Sequence, residues 1–220
     1  MVGGLCLAEL LEDAGYGRVI VLARRPLTSE HPKLTQHVVD FARPDGFADK
    51  VEADDVFSCV GTTRGKAQSE ADYRRIDFDI PLNVARLAAA RGAKQFLLVS
   101  SVGADAGSRV FYTRLKGELE DSVSALPFEA AHLFRPSFLL GERGEDRPAE
   151  RVMLRLSALL SALMVGPLRR WRAVPGKTVA KAMVAAALSG QRGRRVYEFD
   201  AICRSARQDE VGRGLQRRLP

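Results

Sequence analysis

Tyr112 and Lys116 stand four residues apart, and the pair Ser100-Ser101 ends eleven residues upstream of the tyrosine. On a helix, positions i and i+4 share one face, so the phenol and the ammonium would lie side by side. A serine hydroxyl at the tip of a preceding strand can meet them there. An ammonium beside a phenol favours the phenolate, so the tyrosine can trade a proton with a carbonyl or an alcohol near neutral pH. Hydride transfer involving a nicotinamide needs such a proton partner. The spacing alone recurs in unrelated chains, so its weight depends on the elements that carry it.

Those elements alternate. Val19–Ala23, Leu34–Val39, Asp55–Val60, Gln95–Ser100, Ala130–Phe134 and Val196–Phe199 read as short strands. Residues 2–14, Ile80–Arg91, Val110–Ser124, Pro148–Val165 and Thr178–Leu188 read as helices. Apolar strands, each followed by a helix, predict an α/β fold with a doubly wound parallel sheet covered on both faces. Ligands of such sheets sit beyond the carboxyl ends of the strands. The residues at those ends are Arg24-Arg25, Asp40-Phe41, Gly61-Thr62-Thr63, Ser100-Ser101 and Arg135-Pro136-Ser137-Phe138. Small, hydroxylic and charged side chains crowd these places, as in a cofactor crevice. One domain is expected over residues 1–202, with a small lobe at about 137–195. Residues 203–220, rich in Arg and Gln, read as a disordered tail.

The 220 residues are enough for one such domain with a full core. Cys6, Cys59 and Cys203 are widely spaced and odd in number, which argues against a disulfide framework. Cys59 reads as a small core residue. No cluster has metal-ligand spacing, and a reducing, cytoplasmic setting is expected. No apolar run is long enough to span a membrane, and no secretory signal is evident. The net charge of +7 comes mainly from scattered arginines. No basic stripe interleaves with aromatics, so a nucleic-acid partner is not expected. Basic residues do concentrate at Arg169, Arg170 and Arg172 around Trp171, which could cap a substrate pocket or anchor a protein partner.

A dinucleotide-binding sheet opens with a strand and a glycine-rich turn that brings a pyrophosphate to a helix N-terminus. Here the first element is a helix, and only Gly3-Gly4 stand where the last glycine of that turn would fall. The sequence therefore reads as lacking about ten residues, one strand and one turn. The strands on either side of the vacant position would expose unpaired edges, which predicts weak cofactor binding and low stability.

Several segments carry a family resemblance. They are Val19–Arg25, Phe57–Ala67 with its Cys-Val-Gly-Thr-Thr-Arg-Gly-Lys core, Gln95–Ser101, Tyr112–Glu120 and Phe134–Leu140. Together they resemble the Tat-interacting-protein group of atypical short-chain dehydrogenases/reductases. The likeness runs from Gly3 to about Ile202.

The resemblance implies a Rossmann-type domain that binds NADP(H), with a small C-terminal lobe over the active site. Tyr112 would be the general acid/base acting on a small carbonyl or alcohol. Lys116 would lower its pKa and hold the nicotinamide ribose. Ser101, or Ser100 in its place, would orient the substrate oxygen. Arg24 and Arg25 suit a 2′-phosphate, which favours NADP over NAD. Gly3, Asp40, Phe41, Gly61, Thr62, Thr63, Pro136 and Phe138 would line the cofactor. Asp77 falls near a position where the superfamily often has a relay asparagine; a helix N-cap is the plainer account. A non-catalytic NADPH-binding scaffold that contacts another protein is the alternative function.

Overall fold

The helices and strands described below are those of a computed structural model covering residues 1–62, 68–140 and 164–216. Helix α1 (Val2–Glu12) leads into β1 (Val19–Ala23) and β2 (Leu34–Val38). A 3₁₀ turn at Pro44–Lys50 precedes β3 (Asp55–Ser58). Helices α2 (Glu70–Arg74) and α3 (Ile80–Ala90) are joined by a π-helical turn, Arg75–Asp79. Then come β4 (Gln95–Val99), α4 (Phe111–Ser124) and β5 (Ala130–Phe134). The lobe holds the two-residue strands β6 (Leu139–Leu140) and β7 (Val174–Pro175). Helix α5 (Gly176–Leu188), β8 (Gly193–Tyr197) and α6 (Phe199–Gln216) complete the chain.

Every pairing among these strands is parallel, as continuous apolar strands require when both faces are covered. The order is β3-β4-β5-β8 in one sheet, with β1-β2 forming a separate pair. Among the described residues the sheet is therefore divided between β1 and β3. Phe96, Leu98 and Leu133 face α3 and α4, meeting Leu82, Ala85, Leu115 and Leu119. Leu97 and Phe134 point the other way, onto Val179, Met183 and Ile202 of α5 and α6. The period-2 alternation of strand side chains produces this two-faced core.

The structure corrects two expectations. Residues 203–216 are helical rather than a disordered tail. Ile202 and Ala206, one turn apart, bury against α5, and that packing outweighs a polar composition. The last strand begins at Gly193, earlier than expected, because an edge strand tolerates the exposed Arg194 and Arg195. The helix expected over 148–165 lies, except for its last two residues, outside the described ones.

Away from the crevice, a polar chain crosses the sheet. Tyr16 Oη donates to Asp55 Oδ2 at 2.8 Å, and Gln95 Nε2 donates to Asp55 Oδ1 and to the Ala187 carbonyl, each at 3.1 Å. Gln95 Oε1 therefore faces His132 Nε2 at 3.1 Å as an acceptor, which assigns the proton to that nitrogen. His132 Nδ1 is left to accept from Tyr197 Oη at 2.9 Å. Burial pushes His132 down to about 4, with Arg195 adding to the shift.

Candidate active site

Helix α4 carries Tyr112, Lys116 and Glu120 at i, i+4 and i+8 on one face. The three have different surroundings. Tyr112 is half-buried, its ring meeting Tyr73 edge-on at 6.0 Å between centroids. Lys116 is buried, and its Nζ lies 2.8 Å from Asp77 Oδ1, with side-chain exposures of only 4% and 2%. Glu120 is fully buried and clamps Arg135, at the end of β5, through both carboxylate oxygens.

Asp77 is the residue whose placement the sequence did not reveal. It does not cap a helix; it sits inside the π-helical turn. Pro81, four residues on, has no N–H for the Asp77 carbonyl, and a proline within a helical run disrupts it at that point. The extra residue of the π turn lets Asp77 enter the core. Its Oδ2 accepts from the Thr62 backbone N–H at 2.7 Å, and Gly61 packs against its Oδ1. Tyr73 Oη donates to the Thr62 carbonyl at 3.3 Å. One carboxylate thus joins the Gly61-Thr62 turn after β3 to the lysine of α4. Pro81 was the available sequence signal, because π-helical turns in longer helices are frequent at functional sites.

The other expected residues stand at the strand ends. Ser101 is half-buried after β4, with its Oγ 3.4 Å from the Val102 carbonyl. Ser100 is buried, and its hydroxyl has no hydrogen-bond partner among the described residues. The Val102 N–H donates to the carbonyl of the buried Pro136 at 3.0 Å, which brings the serine loop to the end of β5. Arg24 and Arg25 are exposed after β1. Asp40 caps its own turn by accepting from the Ala42 N–H, and Phe41 packs edge-on against Phe47. Gly3 lies in the first turn of α1 against Cys59, and a side chain at Gly4 would meet open space. Phe138 is exposed beside the lobe. Thr63 lies outside the described residues.

These features fit a dinucleotide. The first turn of α1 has neither a side-chain cap nor an acidic residue, so its N–H groups are available to an anion. Two exposed guanidiniums stand at the end of β1, and the orphan Ser100 hydroxyl is buried at the end of β4. No cluster of metal-binding side chains occurs among the described residues.

Gly117, next to Lys116, fixes the approach of the serine loop to α4. A Cβ there would lie 2.1 Å from the Ala106 backbone nitrogen and 2.3 Å from the Asp105 carbonyl carbon. Gly117→Ala must push the loop off the helix. We expect it to destabilise the chain by about 1–3 kcal/mol, as overpacking does, although alanine favours a helix. Urea unfolding of the two proteins measures this, and a variant as stable as the parent refutes the tight contact.

Comparison with known proteins gives a consistent picture. Residues 2–116 match the NAD dependent epimerase/dehydratase family. Over 152 residues the chain is 41% identical to Protein HTATIP2 of Rattus norvegicus, covering 67% of this chain and 62% of that protein. Protein fmp52, mitochondrial, of Aspergillus niger is 34% identical over 200 residues, covering 88% of this chain and 85% of that protein. A UDP-N-acetylglucosamine 4-epimerase from Methanobrevibacter ruminantium M1, solved with UDP-N-acetylmuramic acid, superposes with a TM-score of 0.64 at 16% identity. That superposition covers 90% of this chain and 73% of the epimerase. MoeE5, solved with UDP-glucuronic acid and NAD, gives 0.65 at 16% identity, over 89% and 71% of the two chains. At such identities the structures establish the shared Rossmann-type fold alone.

Proposed function

Because this chain belongs to the NAD dependent epimerase/dehydratase family, we propose that it is an oxidoreductase that uses NADP(H) to interconvert a small carbonyl compound and its alcohol. The observation that carries this reading is the α4 face. There Tyr112 stands one turn from a lysine whose ammonium is fixed by Asp77 to the turn after β3. A nicotinamide dinucleotide, when bound, supplies or accepts the hydride. Tyr112 gives a proton to the carbonyl oxygen in reduction and takes it back in oxidation. Lys116 keeps positive charge next to that exchange, and Asp77 keeps Lys116 in place. Ser101 orients the substrate oxygen. Gly3, Asp40, Phe41, Gly61, Thr62, Pro136 and Phe138 line the cofactor in this reading. The exposed Arg24 and Arg25 favour a 2′-phosphate, and hence NADP, at the end of β1.

Tyr112→Phe removes only the phenolic hydroxyl. It is expected to lower NADPH-dependent turnover by about 10²–10⁴-fold while NADPH affinity stays unchanged. Full turnover by this variant refutes the role. NADPH binding without turnover across a carbonyl panel would instead favour the non-catalytic scaffold. We keep the cytoplasm as the proposed location; the word mitochondrial belongs to the names of the fungal relatives.

A further inference from the structure

The single tryptophan of the chain stands beside the serine loop. A Cβ on Gly103, two residues after Ser101, would lie 3.5 Å from Trp171 Cη2 and 3.7 Å from Thr113, the neighbour of Tyr112. Gly103 has φ +77°, a conformation that L side chains rarely adopt. The loop therefore presents bare backbone to the indole edge. Three contacts fix the segment that holds Trp171. The Ser137 hydroxyl donates to the Arg172 carbonyl, the Val174 N–H donates to the Phe138 carbonyl at 2.9 Å, and β6 pairs with β7. Arg169 adds an ion pair with Asp200 at 2.8 Å, and Arg172 lies over the Phe199 ring. Despite this anchoring, Trp171 remains 38% exposed.

An anchored indole with free surface beside Ser101 and the start of α4 is a platform for a flat apolar group. We propose that Trp171 selects the substrate, by stacking an aromatic or otherwise planar ring whose carbonyl is delivered to Ser101 and Tyr112. The inference rests on the oxidoreductase reading for its chemistry, and on geometry alone for the stacking. Among the described residues, Arg169 is paired with Asp200, and the Arg170 guanidinium lies over the indole at 5.8 Å from the ring centre.

Two ketones separate the flat ring from the carbonyl, namely acetophenone and cyclohexyl methyl ketone. In the nitrogen-15-labelled full chain, Trp171 gives the one tryptophan indole N–H resonance. Acetophenone is expected to shift that resonance saturably, and cyclohexyl methyl ketone is not. Turnover with NADPH should prefer acetophenone, and Trp171→Ala should reduce that preference by about 10-fold, the upper worth of one aromatic contact. Trp171→Phe should retain most of it. Equal shifts with both ketones, no shift with either, or an equal loss of both activities in Trp171→Ala overturns the proposal. A saturable acetophenone shift without turnover supports the platform and overturns the oxidoreductase reading. Turnover of acetophenone without the shift overturns the platform alone. Tyr112→Phe should lower turnover as above and leave the shift intact.

Discussion

Asp77→Ala is expected to destabilise the folded chain by about 3–5 kcal/mol, the cost of leaving a buried charge without its partner. Lys116 would lose its counter-charge at a site all but inaccessible to water. The Thr62 N–H would lose its acceptor in the same step. In a chain of this size the melting temperature should fall by roughly 10 °C. Asp77→Asn keeps an acceptor for Thr62 but no counter-charge, and should fall between the two. The pair Asp77→Leu with Lys116→Met separates stability from function. Replacing both charges by apolar groups should restore most of the melting temperature, because buried ion pairs gain little over well-packed apolar residues. Turnover should not return. A calorimetric scan placing Asp77→Ala within 1 °C of the parent would show that the ion pair does not form.

Stability should also fall as the solution is acidified from about pH 6.5 to about pH 4, by about 3 kcal/mol from His132 alone. The sign follows from the direction of the shift. Burial holds the folded imidazole at about 4, below its value of 6.5 in the unfolded chain. The unfolded state therefore binds the extra proton first. The contribution is complete above 6.5 and is lost as the pH falls through the folded value. Protonation would place a second hydrogen on Nδ1, where Tyr197 now donates, and would bring a charge near Arg195. Asp55, two links along the chain of bonds through Gln95, is pushed up by burial and titrates in the opposite sense. The measurement is thus a difference between the parent and His132→Gln, each unfolded in urea across the range. If the two pH profiles run parallel, His132 does not titrate as its burial requires.

Much of this was legible in the sequence for a physical reason. Val19–Ala23, Gln95–Val99 and Ala130–Phe134 are largely apolar runs of strand length, and a parallel sheet buries such runs on both faces. The strand-end residues followed from topology once the strands were placed. The Tyr112–Lys116 spacing, being local, could be read as one helix face. The partner of Lys116 could not, because Asp77 comes from another helix and meets it only when α3 and α4 pack on the same sheet face. Glu120 was within reach, since it continues the i, i+4 series to i+8. The helix at 203–216 was missed because its polar composition says nothing about the two apolar side chains that dock it.

Among the described residues, the division between β1 and β3 forms a seam. No backbone ladder among the described residues crosses it; the side chains of Tyr16 and Arg18 do, reaching Asp55 and Glu52. Arg18–Glu52 is an exposed pair and holds little. Tyr16–Asp55 is the terminal link of the chain of bonds that ends at His132 and Tyr197, so the seam is tied to the far edge of the sheet. The β1–β2 pair should accordingly behave as a cooperative unit of its own, opening before the four-stranded sheet. Acid that loosens His132 slackens the line from its other end. Amide hydrogen exchange should then speed up in β1 and β2, across the seam from the sheet whose imidazole took the proton.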